Sequence, residues 1–450
     1  MTGAPVVSQG VNKKKVSPST PAITDPNEIV RALVGLKGVA VLYYQRKGPI
    51  CEIGVESVLG EVRCQSCGTT ARIKDRPWVL YVDLAYGGTP SILAWKKHRL
   101  VCPNSQCATS TWTHGDHRLA ARRCRLTTRA AKWATKQVGR GRTVTEVAEE
   151  LGCDWGVVNR AVGIYGAALL QADKKRLGTT TAMGFDETLF MRQGRYRTKT
   201  WCTTVADVGN HRLIELVPSR NYVDVARWVS AQPESFREHI EYGALDLSPT
   251  YAAVYNVILP KATQVVDRYH LIRLANAALD GVRRRIQQSS LGHRGHRGDP
   301  LYRARKLLVT ASSTLDAPTT ERLETLLSLG DPTAEVALAW RVKEALCEFY
   351  EMASPEQARL RLADIVARLS VSAMPYELRK LGRTIEQWFD KILAYHEART
   401  TNGPTEGLNN LIKRIKRVAF GFSNFENYRI RVLLYAGKPN WRVLDSIVVS

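Results

Sequence analysis

Two closely spaced cysteine pairs, Cys64-Gln-Ser-Cys67 and Cys102-Pro-Asn-Ser-Gln-Cys107, tie residues 59–118 into one small unit. Each pair bends the chain back on itself, and Gly68 and Pro103 suit the tight turns this needs. Four thiolates delivered in this way can surround one tetrahedral Zn²⁺. The plain alternative is four buried or incidental thiols; His98, His114, His117 and Cys124 lie near enough in sequence to substitute as ligands. A four-thiolate site is closed, so it is expected to hold structure and to perform no chemistry. Strand-like segments such as Trp78–Val82 separate the pairs, which predicts a zinc-ribbon-like module.

At 450 residues the chain is too long for one ordinary core, and several domains are expected. Its balance of 65 Lys+Arg against 42 Asp+Glu gives a net charge of +23, which draws polyanions and points to nucleic acid as partner. Hydrophobic residues make up 44%, so a folded chain is expected rather than a disordered basic one. No apolar run approaches the roughly 20 residues that a bilayer span needs, so no membrane partner is expected. Lys13, Lys14 and Lys15 lead into a Ser/Pro/Thr stretch rather than an apolar leader. The expected location is therefore the cytoplasm, at the nucleoid, where cysteines serve as ligands or buried thiols and not as disulfides.

The pattern along the chain predicts an α/β multidomain protein. Residues 1–26 read as a disordered tail and 27–118 as an N-terminal α+β and zinc-binding module. Residues 119–176 read as a helix-turn-helix domain and 177–270 as the first part of an α/β core. Residues 271–400 are helical throughout, and 401–450 return to the core with one more strong helix. In the helix-turn-helix, Val147, Ala148 and Leu151 form the inner face of a first helix, Gly152 permits the turn and Asp154 can cap the second helix. Val157, Val158 and Val162 face inward, leaving Trp155, Asn159 and Arg160 to reach a major groove. An ordinary helical hairpin has the same pattern. The basic run Arg118, Arg122, Arg123, Arg125, Arg129, Lys132, Lys136, Arg140 and Arg142 favours DNA.

Three acids stand out. Asp186 and Asp246 each end an apolar, strand-like run, and neighbouring strands can bring such acids together. Glu406 opens a helix whose apolar stripe is Leu408, Leu411, Ile412, Ile415, Val418 and Ala419. The opposite face carries Glu406, Asn410, Lys413 and Arg417, with Asn409, Arg414 and Lys416 at its border. A solvated surface explains most such faces but not a lone acid among so many bases. A phosphate-binding face around a metal ligand does. Three acids on one site can hold two divalent ions, and oxygen ligands favour Mg²⁺. Glu187, Asp207 and Asp267 are rival acids. A hairpin turn at Gly209-Asn210 accounts for Asp207, Glu187 should face away from Asp186, and Asp267 is the strongest substitute. His270 fits a structural or phosphate-contacting role better than that of a general base.

The chain resembles insertion-sequence transposases of the ISL-three type, over nearly its whole length after residue 50. The resemblance rests on the cysteine pairs and on Gly184-Phe185-Asp186-Glu187, Leu245-Asp246-Leu247-Ser248 and Leu259-Pro260-Lys261-Ala262. It also rests on Val266-Asp267-Arg268-Tyr269-His270 and, most specifically, on Thr401-Asn402-Gly403-Pro404-Thr405-Glu406-Gly407-Leu408-Asn409-Asn410. It implies an RNase H-like mixed-sheet core split by the all-helical insertion 271–400, with Asp186, Asp246 and Glu406 as a DDE triad. The implied cofactors are two Mg²⁺ (or Mn²⁺) ions at the triad beside the structural Zn²⁺. The implied partners are terminal inverted repeats and target DNA, contacted by Trp155, Asn159, Arg160, Asn410, Lys413, Lys416 and Arg417. A homo-oligomer, a dimer on DNA, is the expected assembly. Asp267-Arg268-Tyr269-His270 departs mildly from the Asp-Arg-Phe-His run of that type. Two other functions fit parts of the sequence: a non-catalytic zinc and helix-turn-helix regulator, and a structure-selective nuclease.

Overall fold

The computed structural model describes residues 38–178 and 180–449, together with Glu28, Ala32, Gly35 and Leu36. The tail expected over residues 1–26 lies outside the described residues. The chain forms two compact units, one of residues up to Ala130 with Glu149–Val157, the other of Ala131–Ala148 with Val158–Val449.

The first unit contains two sheets. Strands β1 (Val39–Lys47), β2 (Ile50–Ser57), β4 (Trp78–Tyr86) and β5 (Thr89–Lys96) form a four-stranded sheet in the order β1-β2-β5-β4. Its core joins Val39, Ile53, Val55, Leu93 and Trp95 to Leu119 and Ala120. Strands β3 (Arg72–Asp75), β6 (Arg99–Val101) and β7 (Thr111–Thr113) form a separate three-stranded ribbon that carries the cysteines. The segment Trp78–Lys96, which separates the two cysteine pairs in sequence, thus pairs away from the ribbon and completes the other sheet. Its period-2 pattern is compatible with either sheet, so only the pairing partners decide.

The second unit is built on a five-stranded mixed sheet, β8 (Ala182–Gln193), β9 (Thr198–Asp207), β10 (Arg212–Val217), β11 (Tyr242–Leu245) and β12 (Thr263–Val266), in the order β10-β9-β8-β11-β12. The first three are antiparallel and joined by tight hairpins; β8, β11 and β12 run parallel. Asp207 closes the β9–β10 turn by accepting Asn210 N–H at 3.0 Å, the turn role expected for it. Parallel strands need crossovers, and helices including Tyr222–Ser230 and Pro249–Ile258 supply them. Alternation along β8 sends Met183 and Phe185 to one face and Gly184, Asp186 and Thr188 to the other. Phe185 stacks on Tyr251 at 5.4 Å between ring centres, and Tyr255 donates to Met183 O at 2.7 Å, so helix Pro249–Ile258 covers the first face. Helix Gly403–Val418 covers the second.

Between β12 and that last helix the chain is helical, from Arg268–Leu291 through Tyr395–Ala398. These helices share one continuous core with the sheet: Phe185, Leu245 and Val266 connect through Leu271, Ala275 and Leu279 to Leu346, Phe349, Leu362 and Ile385. Among the described residues, no helix is long and apolar enough to cross a membrane.

Candidate active site and metal centre

Parallel register brings the acids together. Tyr242, Gly243 and Ala244 of β11 pair with Ala182, Met183 and Gly184 of β8, and Leu245 pairs with Val266 of β12. Continued two residues along β8 and one past the ends of β11 and β12, that register sets Asp186, Asp246 and Asp267 abreast: Asp246 and Asp267 stand just past the carboxyl ends of their strands, and Asp186 lies within β8, which runs on to Gln193. Asp186 senses the charge of Asp246. Burial pushes the Asp186 carboxyl up to about 6, and Asp246 and Glu187 add to the rise. Burial also raises Asp246, against the opposing pull of His270. One oxygen of Asp246, Oδ1, is buried with no protein partner.

The helix Gly403–Val418 lies along β8. Its start is fastened by Asn402, whose N–H donates to Asp267 Oδ1 at 2.9 Å and whose amide donates to Phe185 O at 3.2 Å. Thr405 Oγ1 donates to Asn402 Oδ1 at 2.6 Å and closes the first turn. This helix start sits where a side chain on Gly184 would be: a Cβ there would come within 2.5 Å of Asn402 Oδ1, 2.7 Å of Val208 and 2.8 Å of Thr405 Oγ1. One turn on, Asn409 is buried and donates to Asp186 Oδ2 at 2.5 Å, while its carbonyl accepts Thr188 Oγ1 at 2.6 Å and Thr204 Oγ1 at 2.9 Å. Further along, Lys416 Nζ donates to Leu189 O at 2.5 Å. From Thr405 beside Gly184 to Lys416 at Leu189, helix and strand each advance about 16 Å.

Glu406 is exposed, one turn before Asn409. The carboxylates of Asp186, Asp246 and Glu406 do not gather within 4.8 Å of one another. Asp267 is buried with both oxygens engaged, Oδ1 by Asn402 and Oδ2 by His270 Nδ1 at 3.1 Å. His270 Nε2 lies 3.9 Å from Asp246 Oδ2. Burial lowers the His270 pKa, but its bond to Asp267 and the Asp246 charge outweigh that and raise it. Glu187 binds Arg220 at 2.8 Å, and its own N–H donates to Asp186 Oδ1 at 2.7 Å.

In the first unit, Cys64, Cys67, Cys102 and Cys107 place their sulfurs within 4.8 Å of one another, with Cys64–Cys107 at 3.7 Å and Cys67–Cys102 at 3.5 Å. Gly68, at φ +73°, donates to Cys64 O and turns the first knuckle. Ser66 and Thr109 hydroxyls meet at 2.7 Å and tie the two knuckles. The Thr69 hydroxyl and N–H draw the Cys67 thiol down to about 6, whereas burial drives Cys102 up to about 12. Four thiols so crowded cannot all ionise without a cation among them. His98 is engaged elsewhere, at 3.0 Å from Glu56.

A family model described as a transposase matches residues 183–432, which takes in all of this acid site. A second, for the helix-turn-helix domain of transposase family ISL3, matches residues 116–162. The chain belongs to the ISL3 transposase family. The transposase for insertion sequence element IS1001 of Bordetella parapertussis is 23% identical over 234 residues, 52% of this chain and 56% of that protein. An ATP-dependent protease of Lactococcus lactis subsp. lactis is 34% identical over 64 residues, 14% of this chain and 21% of that protein. The chain thus spans little more than half the length of the first of these relatives and about a fifth of the second. The solved Drosophila P element transposase strand transfer complex aligns with TM-score 0.36 and 9% identity, covering 71% of this chain and 94% of that one.

In the ISL3 helix-turn-helix, Thr143 and Glu146 form a reciprocal cap: Thr143 N–H donates to Glu146 at 2.8 Å and Glu146 N–H to Thr143 Oγ1 at 3.0 Å. Helices Val144–Leu151 and Trp155–Ala172 follow, with Gly152 at φ +65° between them. Val147, Ala148, Leu151, Val158 and Val162 are buried; Trp155 and Arg160 are exposed and Asn159 half-buried. Part of the basic run is already spent. Arg118 is bonded to Asp116, Arg129 to the buried Asp83, and Lys136 to Asp445 at 2.7 Å. Arg122, Arg123 and Arg125 are exposed, as are Asn410, Lys413 and Arg417 on the acid helix. Lys416 is half-buried, with one of its three N–H donors given to β8.

Sequence reasoning placed Asn409 only at the border of the polar face and gave Asn402 no role. Both reach the acid site, and the signal was there. An asparagine before Gly-Pro at a helix start and a second one seven residues later, two helical turns on, fall on one face.

Proposed function

We propose that this chain is a DNA transposase whose strand-cutting centre is formed by Asp186, Asp246 and Glu406 on an RNase H-like core. The observation that carries this reading is the pair of raised carboxyls set abreast on neighbouring parallel strands, with the acid helix locked across them by Asn402 and Asn409. The mixed five-stranded order, with three antiparallel strands followed by two parallel ones, supports the core assignment.

The residues fit divalent ions. All the donors are carboxylate oxygens, two of the carboxyls are disfavoured as bare anions, and Asp246 Oδ1 has no other partner. Asp186 and Asp246, with Glu406 one turn from Asn409, would hold them. When bound, two Mg²⁺ or Mn²⁺ supply an activated oxygen nucleophile at neutral pH and neutralise the leaving oxygen. The protein's part is positioning. Asp267 orients His270 toward Asp246 and anchors the helix that carries Glu406. Asn409 orients Asp186. Lys413 and Arg417, exposed on successive turns of that helix, suit a phosphate backbone lying along it.

In this reading the four cysteines hold a structural Zn²⁺. The helix-turn-helix reads transposon-end sequence through Trp155, Asn159 and Arg160, and the substrates are terminal repeats and target DNA. Incubating the full chain with a labelled end fragment in Mg²⁺, Mn²⁺ or EDTA tests it. The expected result is nicking at the transposon boundary in either metal and none in EDTA. Binding without cutting in every metal points instead to a regulator. Cutting of branched DNA regardless of end sequence points to a structure-selective nuclease.

A further inference from the structure

A second cluster of metal-type side chains lies far along the chain from the acids and the thiols. The loop Gly292-His293-Arg294-Gly295-His296-Arg297-Gly298-Asp299 joins helices Arg268–Leu291 and Pro300–Val309. His293, His296 and Asp299 each offer one donor atom within 4.8 Å of the other two. The two imidazoles stack with centroids 3.9 Å apart and planes 15° from parallel, and His293 Nδ1 is 3.6 Å from Asp299 Oδ2.

Ordinary loop chemistry does not require this. Asp299 closes the turn by accepting His296 N–H at 2.5 Å, and the turn needs no more than that cap, yet two imidazoles are gathered beside the same carboxylate at three-residue spacing. The backbone is built to gather them. Gly292 and Gly295 adopt φ +74° and +119°, the left-handed region that suits glycine. A Cβ on Gly295 would come within 2.8 Å of Gln287 Nε2 and 2.9 Å of Tyr302, so the loop is pressed between its two helices. Gln288 Nε2 holds Gly292 O at 2.7 Å, and Gly295 N–H donates to His293 Nδ1 at 3.2 Å, a long bond that an ion on Nδ1 would replace.

We propose that His293, His296 and Asp299 form a binding site for a borderline divalent transition ion of the zinc or nickel class, with one coordination position left open. Two imidazoles and one carboxylate suit such ions and not Mg²⁺ or Ca²⁺, which take oxygen donors throughout. Occupancy ties the end of one long helix to the start of the next, so it clamps the first turn of the helical insertion.

Ni²⁺ is the probe, since imidazole prefers it and an all-carboxylate site does not select it. Tag-free full chain is equilibrated with Ni²⁺ and desalted, and bound nickel is counted for wild type, His296→Ala, His293→Ala/His296→Ala and Asp246→Asn. The expected result is one equivalent fewer in both histidine variants and no loss in Asp246→Asn, with a Ni²⁺-induced rise in melting temperature absent from the histidine variants alone. His296 is exposed, so its replacement leaves the metal-free melting temperature unchanged. Equal nickel content and an equal shift in wild type and histidine variants overturn the proposal, as does loss of that equivalent in Asp246→Asn only.

Discussion

Replacing Asp186 by asparagine should stabilise the metal-free protein above neutral pH. The folded state raises this carboxyl from 3.8 to about 6, so it holds its proton more tightly than the unfolded chain does. The associated cost is absent below about pH 4, grows as pH rises through the interval between the two values, and is complete above about pH 6. A shift of that size corresponds to about 3 kcal/mol. The substituted amide would keep the bond to Asn409 by turning its carbonyl oxygen to that side chain, but would lose the acceptor now serving Glu187 N–H, about 1 kcal/mol. The net gain is about 2 kcal/mol, or roughly 4 °C in melting temperature. Thermal unfolding in EDTA at pH 8 and at pH 4 reads it, with the variant the more stable at pH 8 and, since the lost acceptor does not depend on pH, no more stable than wild type at pH 4. Adding Mn²⁺ at pH 8 should reverse the order, because the cation stabilises the wild-type carboxylate pair and does little for the variant. A variant that melts no higher than wild type at pH 8, or a difference that persists undiminished at pH 4, refutes the reasoning.

Gly184→Ala places a methyl against Asn402, Thr405 and Val208, so it should lift the acid helix and destabilise by about 1–3 kcal/mol, read by denaturant unfolding. Cys64→Ser should lower bound zinc by about one equivalent and expose the ribbon of β3, β6 and β7 to protease while leaving residues 180–449 resistant. Arg160→Ala should weaken binding to end fragments several-fold more than binding to random DNA at fixed salt; equal weakening of both assigns Arg160 to phosphate contact only.

Much of this was legible in the sequence for identifiable reasons. The run before Asp246 has the short, apolar character of a buried parallel strand and ends there, whereas the run expected to end at Asp186 continues as β8 to Gln193, because its later residues pair with β9 in a long hairpin. The stripe Leu408, Ile412 and Ile415 fixed the docking face of the acid helix, and all three are buried. The cysteine spacing foretold the convergence of four sulfurs. Three-dimensional pairing was not legible. Nothing local in Trp78–Lys96 says that it completes a sheet with β1 and β2 instead of joining the ribbon. Nor could the sequence show that Arg118, Arg129 and Lys136 are consumed by Asp116, Asp83 and Asp445, since the last two partners lie far away in the chain. Asp267 illustrates the same limit. It stands abreast of Asp186 and Asp246, which made it a credible rival, but its oxygens are taken by His270 and by the backbone of Asn402.

The most direct test of the central claim compares wild type with Asp246→Asn on one labelled end fragment, measuring binding by gel shift and nicking in Mg²⁺ or Mn²⁺ at the same salt. The substitution removes a half-buried carboxylate and no basic contact, so end binding should be retained or slightly strengthened while nicking falls by about two or more orders of magnitude. Nicking by Asp246→Asn at near the wild-type rate contradicts the account.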